Sequence, residues 1–347
     1  MPFQRYIWVD KNKLNFITEI ASSHNGSLRL LENLTNKHLL SSSNYIKFQI
    51  FKTLNLYKKN TKTYKRYKKI EIDYQKWDKL IKNYYPKTKI ILEPFDEESY
   101  NFCTNYSKYL DIKISSSESD NFELVIDANR RFSRVFINLS GYNQSKINYL
   151  LSNYKFNKKK SVLMYGFQSY PTNINDLNFN NFEKFRENGF ISGYADHTHY
   201  NSYFNLISSS ILSILKNTKF IEKHVCENRN KKPPDYITSL EFPEYELFID
   251  TIKIFFSLIN KKNYKYTQKE KIYSNTMHKF AFSNKVIDLN EKIKKSDLIF
   301  LRTNLIDGIN RLDLEKQKGL EKIISLQKQK LYLQLNKKKK AIRELEE

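Results

Sequence analysis

Two histidines occupy matching places at the ends of neighbouring apolar, strand-like runs. His197 follows the run 190–194, and His224 closes the run 220–224. If these runs are adjacent parallel strands, their ends meet at one rim and bring the two imidazoles together. Adjacent histidines with carboxylates nearby can bind a divalent metal, completed by water and substrate oxygens. Two hydrogen-bonded core histidines are the alternative, because no local metal-binding motif accompanies them.

Lysines inside strand-like runs indicate an anionic ligand. Lys47 and Gln49 share one face of a run through the two-residue alternation of a strand. Lys113 lies in a second run, and Lys223 directly precedes His224. A lysine in a buried strand is costly unless an anion offsets its charge, so several lysines at one mouth favour a phosphate or carboxylate substrate. For any one of them alone, a lysine that extends its ammonium group to solvent is an equal alternative.

The elements that must position these side chains repeat along the chain. Eight short apolar runs alternate with segments of helical spacing, such as 27–40 and 202–215. The runs cover residues 16–20, 45–50, 88–92, 110–114, 135–139, 162–165, 190–194 and 220–224. Strand then helix, repeated eight times, predicts an α/β fold of the (β/α)₈ TIM barrel type, whose active site lies at the C-terminal ends of the strands.

The composition changes after the eighth repeat. Residues 260–277 are polar and rich in Lys, Tyr, Asn and Thr, which predicts a linker, and a β-like pattern resumes over 280–301. We therefore predict a barrel domain over 1–258, a linker over 259–278 and a small β-rich domain over 279–347. The tail from Arg311 mixes a helical pattern with an alternating one.

Charge and composition limit the possible functions. The 60 Lys and Arg residues outnumber 37 Asp and Glu, a net charge of +23. The lysines are spread along the chain rather than gathered in one stripe, which does not favour nucleic-acid binding as the main function. No signal-peptide core or membrane-spanning apolar run is evident, so no membrane partner is expected. With two cysteines, the sequence is typical of a reducing compartment, and we expect a cytoplasmic location.

Ordered motifs resemble the sialic acid synthase family. The stretch 19–27 (EIASSHNGS) resembles the family's E-I-G-x-N-H-N-G, 45–52 (YIKFQIFK) its V-K-F-Q-x-F-K, 93–96 (EPFD) its T-P-F-D, and 113–118 (KISSSE) its K-I-x-S-G-E. The sequences 170–172 (YPT), 196–198 (DHT), 222–224 (EKH) and the acidic Asp235 complete the set. A weaker resemblance extends over 279–282 and 300–302 to the family's C-terminal antifreeze-like (SAF) domain, which would be divergent in this chain.

The resemblance implies a reaction. Such synthases condense phosphoenolpyruvate with the aldehyde of an N-acetylated hexosamine (N-acetylmannosamine or a diacetylated analogue) and release phosphate, for surface polysaccharide biosynthesis. It implies a Mn²⁺ or Mg²⁺ ion at His197 and His224, and catalytic carboxylates at Glu19, Glu118 and Asp235. The implied substrate-binding residues are Lys47, Gln49, Lys113, Ser116, Gln168, Tyr170, Phe280 and Arg302. Phe280 and Arg302 would reach the sugar of the partner subunit in a domain-swapped homodimer.

Three departures from the family motifs support an alternative. Ala195 stands where the family has a serine, and 139–141 (LSG) stands where the family has S-T-G. Each change removes a hydroxyl that family members use on the phosphate of phosphoenolpyruvate, at about 1.5–3 kcal/mol. Ser117 replaces a glycine and would disfavour a positive φ. The alternative is a catalytically degenerate barrel that acts as a binding or structural protein. If the enzyme is active, neutral metal-binding histidines predict activity that falls below about pH 6.5.

Overall fold

The computed structural model describes residues 13–153, 157–260, 265–288, 291–302 and 309–316. The chain divides into two compact units, Met1–Lys261 and Lys262–Glu347. The predicted site lies largely in the first unit, whose architecture follows.

The first unit is a closed barrel of eight parallel strands. The strands are β1 (Asn15–Glu19), β2 (Tyr45–Ile50), β3 (Lys89–Pro94), β4 (Asp111–Ile114), β5 (Val135–Asn138), β6 (Ser161–Tyr165), β7 (Ile191–Asp196) and β8 (Thr218–Cys226). They pair in sequence order, and β8 pairs with β1 to close the sheet. A two-residue strand, β9 (Leu240–Glu241), extends the pairing beside β8. The eight predicted runs and the TIM barrel are confirmed.

Helices connect the strands and surround them. They are α1 (Leu28–Leu39), α2 (Thr53–Leu56), α3 (Lys62–Ile70), α4 (Tyr74–Tyr84), α5 (Glu97–Thr104), α6 (Phe122–Arg131), α7 (Gln144–Asn153), α8 (Asn180–Glu187), α9 (Tyr203–Leu215) and α10 (Phe242–Ile259). The helices predicted at 27–40 and 202–215 are confirmed as α1 and α9. Between β2 and β3, the short α2 is followed by a Lys-rich stretch that forms α3, so this connection carries two short helices ahead of α4.

An apolar layer fills the barrel interior below the site. Tyr45, Phe136 and Phe220 pack edge to face, with ring centroids 5.0–6.3 Å apart. Because side chains alternate along a strand, the inward-facing positions after Phe220 are residues 222 and 224. Strands β2, β5 and β8 carry these three aromatic residues and present polar residues two positions later at the C-terminal mouth: Lys47, Asn138 and Glu222.

The second unit contains a small antiparallel sheet. Strands β10 (Lys279–Ser283) and β11 (Leu298–Arg302) pair antiparallel, so the predicted β pattern is confirmed. Helix α11 (Gln268–Met277) occupies half of the predicted linker, where Thr267 and Glu270 form a capping box that starts the helix. Helix α12 (Arg311–Lys316) follows. The antifreeze-like identity of this unit stays a prediction, and the tail from 317 lies outside the described residues.

Candidate active site

A polar cavity of about 80 Å³ lies at the C-terminal mouth of the barrel. Nine of the predicted site residues line it: Glu19, Lys47, Gln49, Lys113, Ser116, Gln168, Tyr170, His197 and His224. The remaining lining residues are Glu93, Phe95, Ser115, Asn138, Ala195 and Glu222. Side chains from strands far apart in sequence therefore meet at one place, as the strand pattern predicted.

Two lysines and three glutamates form a buried ionic network in this cavity. Lys47 Nζ lies 2.7 Å from Glu93 and 2.8 Å from Glu222, and it also contacts Glu19. Lys113 Nζ donates to both Glu222 oxygens, at 2.7 and 2.9 Å, and lies 3.4 Å from Glu93. All five side chains are almost fully buried. Glu222 is thus the shared partner of both ammonium groups.

The network favours the charged forms of Glu222 and Lys113. Burial opposes the charge of Glu222, but Lys113 and Lys47 outweigh it and lower the pKa of that carboxyl well below its usual range. Burial likewise opposes the charge of Lys113, and Glu222 and Glu93 outweigh it and raise the pKa of its ammonium group. For Lys47 burial prevails, and the pKa of its ammonium group is lowered. Lys113 is therefore the more firmly charged of the two lysines.

The two predicted metal ligands face each other. The ring centroids of His197 and His224 are 5.3 Å apart. His197 Nδ1 lies 3.1 Å from the Phe167 carbonyl oxygen. Because a carbonyl only accepts, Nδ1 carries the proton and Nε2 presents a lone pair, with the Tyr170 hydroxyl 3.2 Å away. His224 Nδ1 is buried, and no described group hydrogen-bonds to it.

These two rings have the donor chemistry that a divalent metal needs. Burial lowers the pKa of His197 to about 4, and burial followed by the charge of His197 lowers the pKa of His224 well below its usual value. Both rings are therefore neutral at pH 6.5. Loss of metal binding through protonation is then expected at a lower pH than the value of about 6.5 predicted from an ordinary histidine. Within the described ranges, no group of three or more His, Cys, Asp or Glu side chains is arranged to hold a metal. The pair fits an ion that completes its coordination with water and substrate oxygens.

The prediction that Lys223 contributes to the anion pocket is wrong. Its Nζ lies 2.5 Å from Asp196 and donates to the Thr198 carbonyl oxygen at 3.0 Å. Asp196 in turn accepts from Ser209 on α9, which places this pair between the barrel and its helices. Strand alternation explains the error, because Lys223 lies between the inward-facing Glu222 and His224 and so points outward.

Comparison with known proteins agrees with this geometry. The sequence profile of the NeuB family matches residues 32–264, which is more than half of the chain. The chain belongs to the NeuB family. The resemblance to sialic acid synthases is therefore confirmed.

Several related proteins align with most of this NeuB-family chain. An N,N'-diacetyllegionaminic acid synthase from Campylobacter jejuni subsp. jejuni serotype O:2 is 23% identical over 326 residues, covering 88% of this chain and 95% of the relative. An N-acetylneuraminic acid (sialic acid) synthetase from Leptospira borgpetersenii serovar Hardjo-bovis superposes with a TM-score of 0.65 at 22% identity, covering 77% of this chain and 93% of its own. A putative spore coat polysaccharide biosynthesis protein E from Chromobacterium violaceum superposes with a TM-score of 0.73 at 18% identity, covering 87% and 92%.

The remaining predicted residues of this NeuB-family chain lie outside the inner cavity. Glu118 and Asp235 do not line it. Burial raises the pKa of each carboxyl, and the charge of Asp235 contributes to a raised pKa at Tyr170, so Asp235 lies near the mouth. Phe280, which is buried, and Arg302, which is exposed, belong to the second unit. Their predicted roles at a partner's sugar stay predictions.

The three departures from the family motifs lie at different places relative to the cavity. Ala195 lines the cavity and offers no hydroxyl there, and Leu139 is buried. Ser140 is turned inward, because its hydroxyl donates to Asn138 and accepts from the Gly166 amide. Ser117 is not among the described residues with positive φ, so the expected conflict at this turn is absent. By strand alternation Asn138 faces the cavity, whereas Leu139 faces outward and joins the apolar core. Only the missing hydroxyl at Ala195 therefore lies at the cavity wall.

Sequence reasoning missed Glu93 and Glu222 as members of the site. Each lies within a family-like motif, Glu93 in 93–96 (EPFD) and Glu222 in 222–224 (EKH). The alternation that places His224 inward places Glu222 inward as well, and Glu93 pairs in register with Gln49 on the adjacent strand. Both were therefore accessible from strand pattern alone.

Proposed function

We propose that this NeuB-family protein is a nonulosonate synthase that condenses phosphoenolpyruvate with an N-acetylated hexosamine aldehyde. In this reaction C3 of phosphoenolpyruvate forms a bond to the aldehyde carbon, water adds at C2, and phosphate leaves with cleavage of the C2–O bond. The observation that carries the proposal is the convergence of Lys47, Lys113, His197 and His224 in one buried cavity at the barrel mouth. The product would serve polysaccharide biosynthesis in the cytoplasm.

The lysines supply the charge that an anionic substrate requires. Lys47 and Lys113 are paired with glutamates, so a bound carboxylate or phosphate would share or replace these partners. Ser116 and Gln168 line the same cavity and offer neutral hydrogen-bonding groups. We therefore assign Lys47, Lys113, Ser116 and Gln168 to phosphoenolpyruvate.

The carboxylates and the tyrosine are assigned to the sugar and to the reacting water. Glu19 contacts Lys47 and accepts from the Ala21 amide, which fixes its carboxylate at the base of the cavity for proton transfer or water positioning. Gln49 and Tyr170 line the cavity, whereas Glu118 and Asp235 lie further out, where a sugar chain would extend. The raised pKa values at Glu118 and Asp235 suit carboxyl groups that exchange hydrogen bonds with sugar hydroxyls.

The histidine pair is assigned to a Mn²⁺ or Mg²⁺ ion. When bound, such an ion polarises an aldehyde oxygen and orients the sugar. The protein's own contribution is to keep both imidazoles neutral by burial and to fix the His197 tautomer through the Phe167 carbonyl.

A panel assay tests the proposal. N-acetylmannosamine and diacetylated analogues are each incubated with phosphoenolpyruvate, with and without Mn²⁺, and phosphate is measured. We expect phosphate release with at least one sugar, dependent on the metal. The missing hydroxyl at Ala195, which lines the cavity, favours the second candidate, a degenerate binding barrel. Calorimetry that detects neither metal nor phosphoenolpyruvate binding, together with no phosphate release, would overturn the synthase proposal and favour the second candidate.

A further inference from the structure

The cavity contains more negative than positive side chains. Glu19, Glu93 and Glu222 face only two ammonium groups, Lys47 and Lys113. All five are buried, so water screens their interactions poorly. Before a cation binds at His197 and His224, a pocket with this balance repels an added anion. Once a cation is bound, each carboxylate still reduces the attraction that the anion meets.

Of the three carboxylates, Glu93 is the least necessary for compensating the charges of Lys47 and Lys113. Glu222 already pairs with both lysines, through contacts of 2.7–2.9 Å, and Glu19 contacts Lys47. Glu93 places a further oxygen 2.7 Å from Lys47 and another 3.4 Å from Lys113. It therefore occupies the position between the two ammonium groups that an anionic ligand would take.

The backbone fixes Glu93 in this position. Strand β3 pairs with β2 in parallel register, with Glu93 opposite Gln49, and Gln49 Nε2 lies 3.5 Å from the Glu93 carboxylate. The next residue, Pro94, still belongs to the strand, so the glutamate is held on rigid backbone rather than on a loop. The carboxylate thus cannot leave the cavity through a loop movement of its own.

We propose that Glu93 is a specificity-determining residue that weakens binding of multiply charged anions to this site. It competes with the substrate's anionic group for Lys47 and Lys113, and it adds a negative charge that the incoming anion must face. The inference rests on the proposed function, in which phosphoenolpyruvate is that anion. Removal of the Glu93 charge should therefore tighten anion binding.

Calorimetry on the full chain with Mg²⁺ present tests this inference. Phosphoenolpyruvate and inorganic phosphate are titrated separately into the wild type, Glu93→Gln and Glu93→Thr. Glutamine keeps the shape without the charge, and threonine restores the residue of the T-P-F-D motif. Glu98→Gln is the matched control, because Glu98 is exposed one helical turn after the same strand. We expect both Glu93 variants to bind phosphoenolpyruvate at least tenfold more tightly, with Glu98→Gln unchanged.

The two ligands separate failure of this inference from failure of the proposed function. Unchanged or weaker binding of both anions in both Glu93 variants, with melting curves like the wild type, overturns the role of Glu93. Tighter binding of phosphate alone, with no variant binding phosphoenolpyruvate, supports the role of Glu93 and overturns the proposed substrate. No binding of either anion to any protein overturns both.

Discussion

Single residues in the cavity carry most of the chemistry, and their charges depend on one another. Burying an ion is costly, and here each buried lysine is offset by more than one carboxylate. Removal of one lysine therefore leaves its carboxylate partners uncompensated in a poorly hydrated place. The network consequently couples substrate binding to the stability of the barrel.

Replacement of Lys113 tests this coupling. Lys113→Met should lower the free energy of unfolding by about 3–5 kcal/mol, because Glu222 and Glu93 lose a buried partner. The control is Lys82→Met, which removes an exposed pair with Asp78 and should change stability by less than about 1 kcal/mol. Urea denaturation measures both. Equal effects of the two variants would contradict a buried, interdependent network.

Metal binding is tested at the histidines. His224→Ala should weaken Mn²⁺ binding at least tenfold, because one of two protein ligands is lost while His197 remains oriented by Phe167. Electron paramagnetic resonance of free Mn²⁺ measures the affinity. His199→Ala is the matched control, since His199 packs against Tyr200 and does not line the cavity. Equal Mn²⁺ affinity in the two variants would remove the assignment.

The site was only partly predictable at this scale. Lys47, Gln49 and the two histidines followed from strand alternation and strand ends. Alternation also places Glu93 and Glu222 inward, but it does not show which lysine each one contacts. Lys47 and Glu222 are 175 positions apart in sequence and meet only when β8 closes onto β1. The prediction for Lys223 was wrong because a lysine in a strand binds a ligand in the barrel only if it lies on the inward face, and Lys223 lies on the outward face.

Among the elements, the turn between β1 and α1 illustrates how local backbone shapes the mouth. Gly26 has φ +78°, and a Cβ at this position would collide with the Lys69 carbonyl oxygen at the end of α3. Glycine is therefore required at this position for two reasons: the positive φ and the close approach of α3.

Two glycines with the same backbone conformation separate these effects. Gly141 has φ +80°, and no described atom lies within 4 Å of an added Cβ. Gly141→Ala should cost about 1–2 kcal/mol from conformation alone. Gly26→Ala should cost about 1–3 kcal/mol more, because α3 must also shift. Thermal and urea unfolding give the comparison, and equal costs would show that the contact with α3 is unimportant.

Helix α1 is attached to the barrel through a buried histidine. His38 Nδ1 lies 2.8 Å from the Thr18 hydroxyl, and Nε2 lies 2.8 Å from the Thr88 hydroxyl. Burial lowers the pKa of His38 to about 4. The unfolded chain, with an ordinary histidine pKa near 6.5, therefore binds this proton more readily than the folded protein.

The free energy of unfolding should therefore decrease as the pH falls. Above about pH 6.5 both states are neutral at His38, and as pH falls from 6.5 to 4 the unfolded state gains protons and stability declines, by about 3 kcal/mol for this group. His38→Gln should lose that part of the decline, whereas His278→Gln, at an exposed position, should retain it. Urea unfolding at pH 7 and pH 4.5 measures the difference. Identical declines in the two variants would refute the assignment.

For the whole molecule, the barrel was predictable because eight buried parallel strands produce near-continuous apolar runs with long connections. The structure of the second unit was less predictable from the sequence. Its pattern indicated two β segments, and these form β10 and β11, but the segment taken as a linker contains α11. The capping box at Thr267 and Glu270 was a local signal of that helix. No helix in the described part of the chain is long and apolar enough to cross a membrane.

The proposed homodimer is also a prediction at this scale. If the second unit contributes Phe280 and Arg302 to a partner's site, the protein should sediment at twice the chain mass of 41.7 kDa. Arg302→Ala should then raise the KM for the sugar without changing that mass. A single-chain mass at assay concentrations would contradict the domain-swapped arrangement.

The fate of the bridging oxygen of phosphoenolpyruvate tests the central claim most directly. Phosphoenolpyruvate labelled with ¹⁸O between C2 and phosphorus is incubated with the protein, Mn²⁺ and the panel of N-acetylated sugars, and the released phosphate is analysed by mass spectrometry. The proposed synthase cleaves the C2–O bond, so phosphate should carry the label and appear only when sugar and metal are both present. Unlabelled phosphate, or no phosphate with any sugar, would contradict the proposed function.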